Sequence, residues 1–313
     1  MDKRRKRRKK KQPRQFRTVR GFIRVFVTLA AVVLIMMIWN VWDNRSFEET
    51  LYSVSTEKFT SKVRAIMLSD LHQKEFGERN KNLIERIDKL KPDVILIDGD
   101  MVNKNNPNSA VIISLCQELT NIAPVYYSLG NHENELVFGQ DMIHTVLDQT
   151  HDETKGLEQF IRDDSLIKAI KETGATVLLN SQASLEIRGN HLDIGGINTN
   201  LSSMWPYSGD FITDFSHKEP EHYKLLMSHR PEPVANYLYD MPIDLCVSGH
   251  THGGAIRIPG LGGLYANEQG ILPEMDAGIY ELNKTKLLIG RGLGGVPRVF
   301  NRPELVVIDI NGE

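Results

Sequence analysis

The 313-residue sequence predicts an α/β fold with two sheets, preceded by one membrane-spanning helix. Three observations point there. Buried, β-branched runs alternate with amphipathic helical segments through the first half. Short strand-like runs crowd the second half, and a 21-residue apolar segment stands near the start.

Residues 1–21 are a basic arm containing "KRRKRRKKK". Of the 38 Lys and Arg, 13 fall in residues 1–24 beside the single acid Asp2, so the remaining 25 face 39 Asp and Glu. The near-neutral total therefore joins two opposed pieces. Residues 22–42, "FIRVFVTLAAVVLIMMIWNVW", would span about 31 Å as a helix at ~1.5 Å per residue, enough for a hydrocarbon core of roughly 30 Å. The one charge, Arg24, sits where it snorkels to the basic side, and Trp39 and Trp42 suit the far interface. No small-x-small site follows before Asp43, which favours a retained anchor over a cleaved signal peptide. The positive-inside rule keeps the arm cytoplasmic, so this is a single-pass protein of the cell membrane with its domain outside the cytoplasm. A basic run beside a span reads as a topology determinant that also meets anionic lipid, rather than as a nucleic-acid patch. Excess acid in the remainder disfavours polyanions, and no nucleic-acid partner is expected.

Residues 43–62 are mostly polar and read as a stalk. Residues 63–313 suit one domain with an ample core. "KVRAIMLSD" is a buried strand, Leu83, Ile84, Ile87 and Leu90 mark one face of a helix, and "DVILID" is a second buried strand. The helix "SAVIISLCQEL" and the strand "APVYYSL" continue the alternation of βαβ units. Thereafter "TVLL", "ASLEI", "HLDIGGI", "KLLMSH", "IDLCVSG", "AIRI", "GIYEL", "KLLIG" and "LVVIDI" follow closely and imply a second sheet, mostly of strands. Cys116 and Cys246 lie in apolar segments and read as unpaired core residues.

Five of these strands run into metal-capable side chains. After them come Asp70 and His72 ("SDLH"), Asp100 ("GD"), Asn131, His132 and Glu133 ("GNHE"), His229 ("SH"), and His250 and His252 ("GHTH"). Ligands of α/β sheets bind at the carboxyl ends of strands, so these groups can converge although distant in sequence. A lone D-x-H or GD occurs by chance in many chains. The ordered series is far more specific.

The series resembles that of the calcineurin-like metallophosphoesterase superfamily. "GHTHGGAIRIPGLGG" and "GRGLGGVPRVFNRPELVVIDI" are similar to its branch of membrane-associated bacterial phosphoesterases, which includes enzymes cleaving UDP-2,3-diacylglucosamine. The match runs from about Val63 to Ile310. It implies a two-sheet sandwich flanked by helices and hydrolysis of a phosphodiester or pyrophosphate by a hydroxide bridging two divalent metal ions. By motif position, Asp70, His72, Asp100 and His252 would hold one metal, and Asp100, Asn131, His229 and His250 the other, with Asp100 shared. His132 would be catalytic, contacting the scissile phosphate without ligating.

The chemistry of that set is coherent. Two dications outweigh the two carboxylates, and a phosphate anion completes the charge balance. Four imidazoles, two carboxylates and one carboxamide make a mixed N/O set without thiolate, which Mn, Fe and Zn all suit better than Ca or Mg. Glu133 reads equally as an orienting or a structural residue, and His144, His151, His191, His217 and His222 as solvated or structural.

Two departures from the branch bear on the substrate. Ala255 stands where relatives often carry Gln, and Asn198, Thr199 and Asn200 replace an acidic pair. Residues 135–161 read as an extended, helical addition. Residues 200–215 read as a polar loop pinned by Trp205, Tyr207 and Phe211, or as an apolar wall over the metals. A domain beside a membrane would meet lipid-linked or cell-envelope phosphoesters at high local concentration. The alternatives are a phosphomonoesterase of soluble substrates and a binding protein on a disabled phosphoesterase fold; the complete donor set favours catalysis.

Overall fold

The computed structural model describes residues 14–139, 161–198 and 209–313. Two compact units result, Met1–Arg45 and Ser46–Glu313. The first is a single helix, α1 (Arg14–Asp43), of which Gly21–Asp43 is long and apolar enough to cross a membrane, with mean hydropathy 2.5.

The second unit begins with a strand that the sequence reading missed. β1 (Glu48–Thr56) occupies the stretch expected as a stalk. Then come β2 (Val63–Leu68), α2 (Lys81–Leu90), β3 (Val94–Asp98), α3 (Ser109–Leu119), β4 (Val125–Ser128), α4 (Asn131–Phe138), α5 (Ser165–Glu172) and β5 (Thr176–Leu178). β6 (Ser181–Ile187), β7 (Asn190–Ile197), α6 (Gly209–His217), β8 (Tyr223–Ser228) and β9 (Leu245–Ser248) follow. Four two-residue strands, β10 (Arg257–Ile258), β11 (Gly262–Gly263), β12 (Tyr265–Ala266) and β13 (Gly270–Ile271), form two small hairpins. β14 (Gly278–Glu281), β15 (Lys286–Ile289) and β16 (Glu304–Gly312) complete the unit.

Two six-stranded sheets result, ordered β1-β16-β2-β3-β4-β5 and β14-β15-β9-β8-β7-β6. "TVLL" and "LVVIDI" therefore belong to the first sheet, not the second: a strand's own pattern shows that it is buried, not which edge it pairs with. β2 to β5 are parallel, as their helical crossovers demand. β16 runs antiparallel to β2, and β1 runs parallel to β16 from Glu48↔Glu304 to Thr56↔Gly312.

Alternation along β2 fixes the layers. Val63, Ala65 and Met67 face the second sheet, against Leu192, Ile194, Leu225, Met227 and Val247. Ile66 and Leu68 face the other way, against Leu83 and Ile87 of α2 and Ile112 and Leu115 of α3. On the far side of the second sheet, Leu226, Cys246 and Ile289 pack with Ile212 and Phe215 of α6. The unit is a two-sheet sandwich with helices on both outer faces, and the parallel strands of both sheets bring their carboxyl ends to one rim.

Of the expected addition, residues 135–138 are the end of α4, while 140–160, with His144 and His151, lie outside the described residues. Phe211, expected in a loop, is in α6 and stacks on Phe215 at 5.7 Å. Its helical spacing was hidden by the preceding polar stretch; Trp205 and Tyr207 lie outside the described residues. Cys116 and Cys246 are buried free thiols.

Candidate metal centre

The rim gathers six of the expected donors into mutually close groups. Asp70, His72 and His252 form one, Asp100, His229 and His250 a second, and His72, Asp100 and His132 a third, each with its ligand-capable atoms within 4.8 Å of one another. Asp100 Oδ2 lies 3.4 Å from His229 Nε2, 3.8 Å from His72 Nε2 and 3.9 Å from His132 Nε2. Asp70 also reaches both sets, 3.8 Å from His252 Nε2 and 3.9 Å from His229 Nε2. Asn131 opens α4 immediately after Gly130, where an added Cβ would stand 2.3 Å from Asp100 Oδ1. The two histidines of "HTH" enter different groups.

Local backbone explains that division. β9 ends at Ser248, and His250 (φ 67°) and His252 (φ 51°) then take left-handed conformations, so strand alternation no longer governs them. At Gly249 a Cβ would fall 2.5 Å from Asp70 Oδ2; only glycine admits the carboxylate there. The freed space is used. The His250 amide donates to Asp70 Oδ2 at 3.1 Å, and the Asp70 and His72 amides donate to the carbonyls of Gly99 and Asp100 at 2.9 and 3.0 Å.

Hydrogen bonds on the far ring nitrogens sort the histidines by role. His72 Nδ1 is 3.1 Å from Asn103 Oδ1, and His229 Nδ1 is 2.6 Å from the Asp98 carbonyl. Both partners are acceptors, so each Nδ1 carries the proton and each Nε2 turns a lone pair into the cluster. At His132 the order reverses: Nδ1 accepts from the Lys104 amide at 3.3 Å, which leaves the proton on Nε2, facing Asp100. His72 and His132 thus present opposite ring edges to the cluster, a lone pair from the first and an N–H from the second.

Burial and charge complete the site. Burial opposes the Asp70 and Asp100 carboxylates, but the surrounding histidines outweigh it and hold both below the usual carboxylate range. Burial also opposes charge on His229, yet Asp100, Asp70 and Asp98 raise its pKa well above the ordinary imidazole value. That corner favours positive charge, which a dication can supply in place of a proton. His250 and His252 are pushed by burial down to about 3 and about 4, and so keep free lone pairs at neutral pH. Asp98, beneath His229, is raised by burial to about 8. Buried His72 Nε2, Asn131 Oδ1, His229 Nε2 and His250 Nε2 have no hydrogen-bond partner. Buried polar atoms are rarely left so, and four around one centre fit divalent metal ions.

The family model for calcineurin-like phosphoesterases matches residues 63–254, more than half of the sequence. The chain belongs to that family. This metallophosphoesterase, a hydrolase of phosphoester bonds, is similar to an uncharacterized metallophosphoesterase of Campylobacter jejuni, at 27% identity over 95% of this chain and 73% of the relative. It is also similar to the UDP-2,3-diacylglucosamine pyrophosphatase LpxG of Chlamydia muridarum, at 24% identity over 92% of this chain and 97% of that one. The phosphodiesterase YaeI of Escherichia coli is 24% identical over 79% and 82% of the two chains.

Arg230 and Glu268 of the metallophosphoesterase site escaped the sequence reading, which leaves Glu133 between an orienting and a structural role. Glu133 accepts from the amides of Asp100 (2.8 Å), Met101 (2.7 Å) and Gly130 (3.1 Å) and from the Tyr127 hydroxyl (2.9 Å), tying the Asp100 loop to the start of α4. Arg230, directly after His229, pairs with Glu268 from the turn between β12 and β13, and Glu268 Oε1 stands 4.0 Å from His250 Nε2. A cation adjoining a ligand motif was the available signal for Arg230; Glu268 offered none. A further group, Asp193, Glu219 and His222, lies outside the series. There Asp193 already accepts from Lys224 and Ser184, and His191 stacks on His222 at 4.7 Å. That arrangement agrees with a structural reading of both histidines.

Proposed function

We propose that the protein hydrolyses phosphodiester or pyrophosphate bonds at a centre of two divalent cations, with Asp70, His72, Asp100 and His252 holding one and Asp100, Asn131, His229 and His250 the other. The observation that carries this reading is the convergence of four buried donor atoms without a hydrogen-bond partner, beside two carboxylates held ionised. Bound there, Mn, Fe or Zn would supply Lewis acidity and a water that ionises near neutral pH. The chain's own residues then have separate tasks. Asp100, within 4 Å of both histidine sets, joins the two halves of the site. His132, with its proton on Nε2, donates a hydrogen bond to the scissile phosphate and so helps the leaving oxygen depart. Glu133 holds the Asp100 loop in register with α4.

The substrate we propose is lipid-linked or part of the cell envelope. Gly21–Asp43 would anchor the chain with its basic arm in the cytoplasm and its catalytic unit across the membrane, where such esters are concentrated. The relative named for UDP-2,3-diacylglucosamine supports a phosphate joined to a lipid-bearing sugar.

The deciding experiment couples metal analysis of the purified protein to hydrolysis of a model phosphodiester and a model phosphomonoester. Asp100→Asn is expected to lose metal and abolish turnover. His132→Ala is expected to keep its metal while turning over ~10²–10⁴-fold more slowly. Full activity in Asp100→Asn would overturn the assignment of the shared carboxylate.

A further inference from the structure

We infer that the two small hairpins following the "HTH" segment are a second membrane contact, which seats the rim of the sandwich on the lipid surface. Among the described residues from Ser46 onward, nine large hydrophobic side chains are exposed, and seven lie in or next to these hairpins or follow Val299, which bridges to Ile256. Six are Ile256, Ile258, Leu261, Tyr265, Ile271 and Leu272, with Ile271 the most exposed at 75%. The segments form one hydrogen-bonded apron: the Leu264 amide donates to Ile256, the Leu272 amide to Leu264 and the Arg257 amide to Val299. Tyr265 and Ile271 face each other across their hairpin. Clustered exposure of this kind marks an interaction surface, whereas scattered apolar residues do not.

The chemistry of the apron selects lipid as its occupant. Residues 255–273 carry two charged side chains, Arg257 and Glu268. Both are neutralised inward, Arg257 by Asp276 at 3.0 Å and Glu268 by Arg230. The turn at Ile258–Leu261 closes on itself through the Leu261 amide at 2.9 Å, which pairs two backbone groups that an apolar phase would otherwise leave unmet. Tyr265 is amphipathic, as side chains at headgroup depth are.

Chain entry points the same way. β1 starts beside the start of β16, at the end of β2 from which Asp70 follows. Arg291 ties Glu48 to Glu304, and the neighbouring Leu293 and Gly294 amides bond the Ser69 and Asp70 carbonyls at 3.0 and 2.6 Å. The catalytic unit is therefore entered at its rim. Between Asp43, the end of the span-length segment, and Glu48 lie residues 44–47, which reach at most about 14 Å. If the helix is the anchor, as proposed above, so short a leash holds the rim near the bilayer.

The test places single thiols in the full-length chain, whose own Cys116 and Cys246 are buried. Leu261→Cys, Ile271→Cys and, at the opposite end of the sheet, Asn283→Cys are labelled with an environment-sensitive fluorophore. The proteins are reconstituted in phosphatidylethanolamine/phosphatidylglycerol vesicles with or without doxyl-chain phosphatidylcholine. Labels at 261 and 271 are expected to shift to the blue and lose most of their intensity to doxyl lipid, while the label at 283 does neither. Unquenched, water-like emission at 261 and 271 in protein that floats with the vesicles would overturn the docking and leave the anchor intact. A blue shift without quenching that grows with protein density would assign the apron to a second copy and equally overturn it. Protein that fails to float would remove the anchor reading and the docking together.

Discussion

Asp70, His72, Asp100, His250 and His252 hold φ between 48° and 67°, a region that costs a non-glycine residue on the order of 1–3 kcal/mol. Five such residues persist around one centre only because the rim over-determines them, and Glu133 does much of that. It is fully buried and receives five donors, the Val102 amide among them. Glu133→Gln sets an amide against those N–H groups, so we expect a loss of about 1.5–3 kcal/mol in stability and weaker metal binding. Urea denaturation and metal titration would measure the two effects; an unchanged midpoint would show that Glu133 is dispensable. Most donors were legible in the sequence because each follows a buried strand in a short polar motif. Asn103 and Asp98, which orient His72 and His229, were not. They act across the rim on a neighbouring loop, and no local pattern reports that contact.

At the scale of elements, β1 shows why the stalk was misread. "EETLYSVST" is an edge strand with one fully buried side chain, Val54, so the hydrophobic signal of a strand is faint. Its partner lies some 250 residues away, beyond the reach of any window. The helices α2 and α3 were recognisable because their apolar spacing is local. Removing residues 1–45 is expected to leave the sandwich folded. Removing residues 1–57 should bare the edge of β16 and take Val54 and the packing of Tyr52 out of the core, at ~1.5–3 kcal/mol per buried apolar side chain lost. Comparison of the two truncations by thermal unfolding would check this; equal midpoints would mean that β1 adds no stability.

Across the whole molecule, Asp70 and Asp100 from the first sheet meet His229 and His252 from the second, so metal should act as a clamp between the sheets. At a metal concentration 100-fold above Kd the stabilisation is about 2.7 kcal/mol. Chelator treatment is therefore expected to lower Tm by several degrees in the parent and in His132→Ala, but not in Asp100→Asn. Calorimetry with and without chelator would read the difference, and an identical shift in all three would place the bound metal elsewhere. The pairing of β1 with β16 reaches further still. The earliest strand of the sandwich cannot be zipped into place until the most distant one has been made, and closing so large a loop is entropically slow. During synthesis, Glu48–Thr56 would wait with an open ladder of backbone groups. A nascent chain of this design therefore needs a holding factor, or else tolerates a long interval in which its catalytic rim does not yet exist.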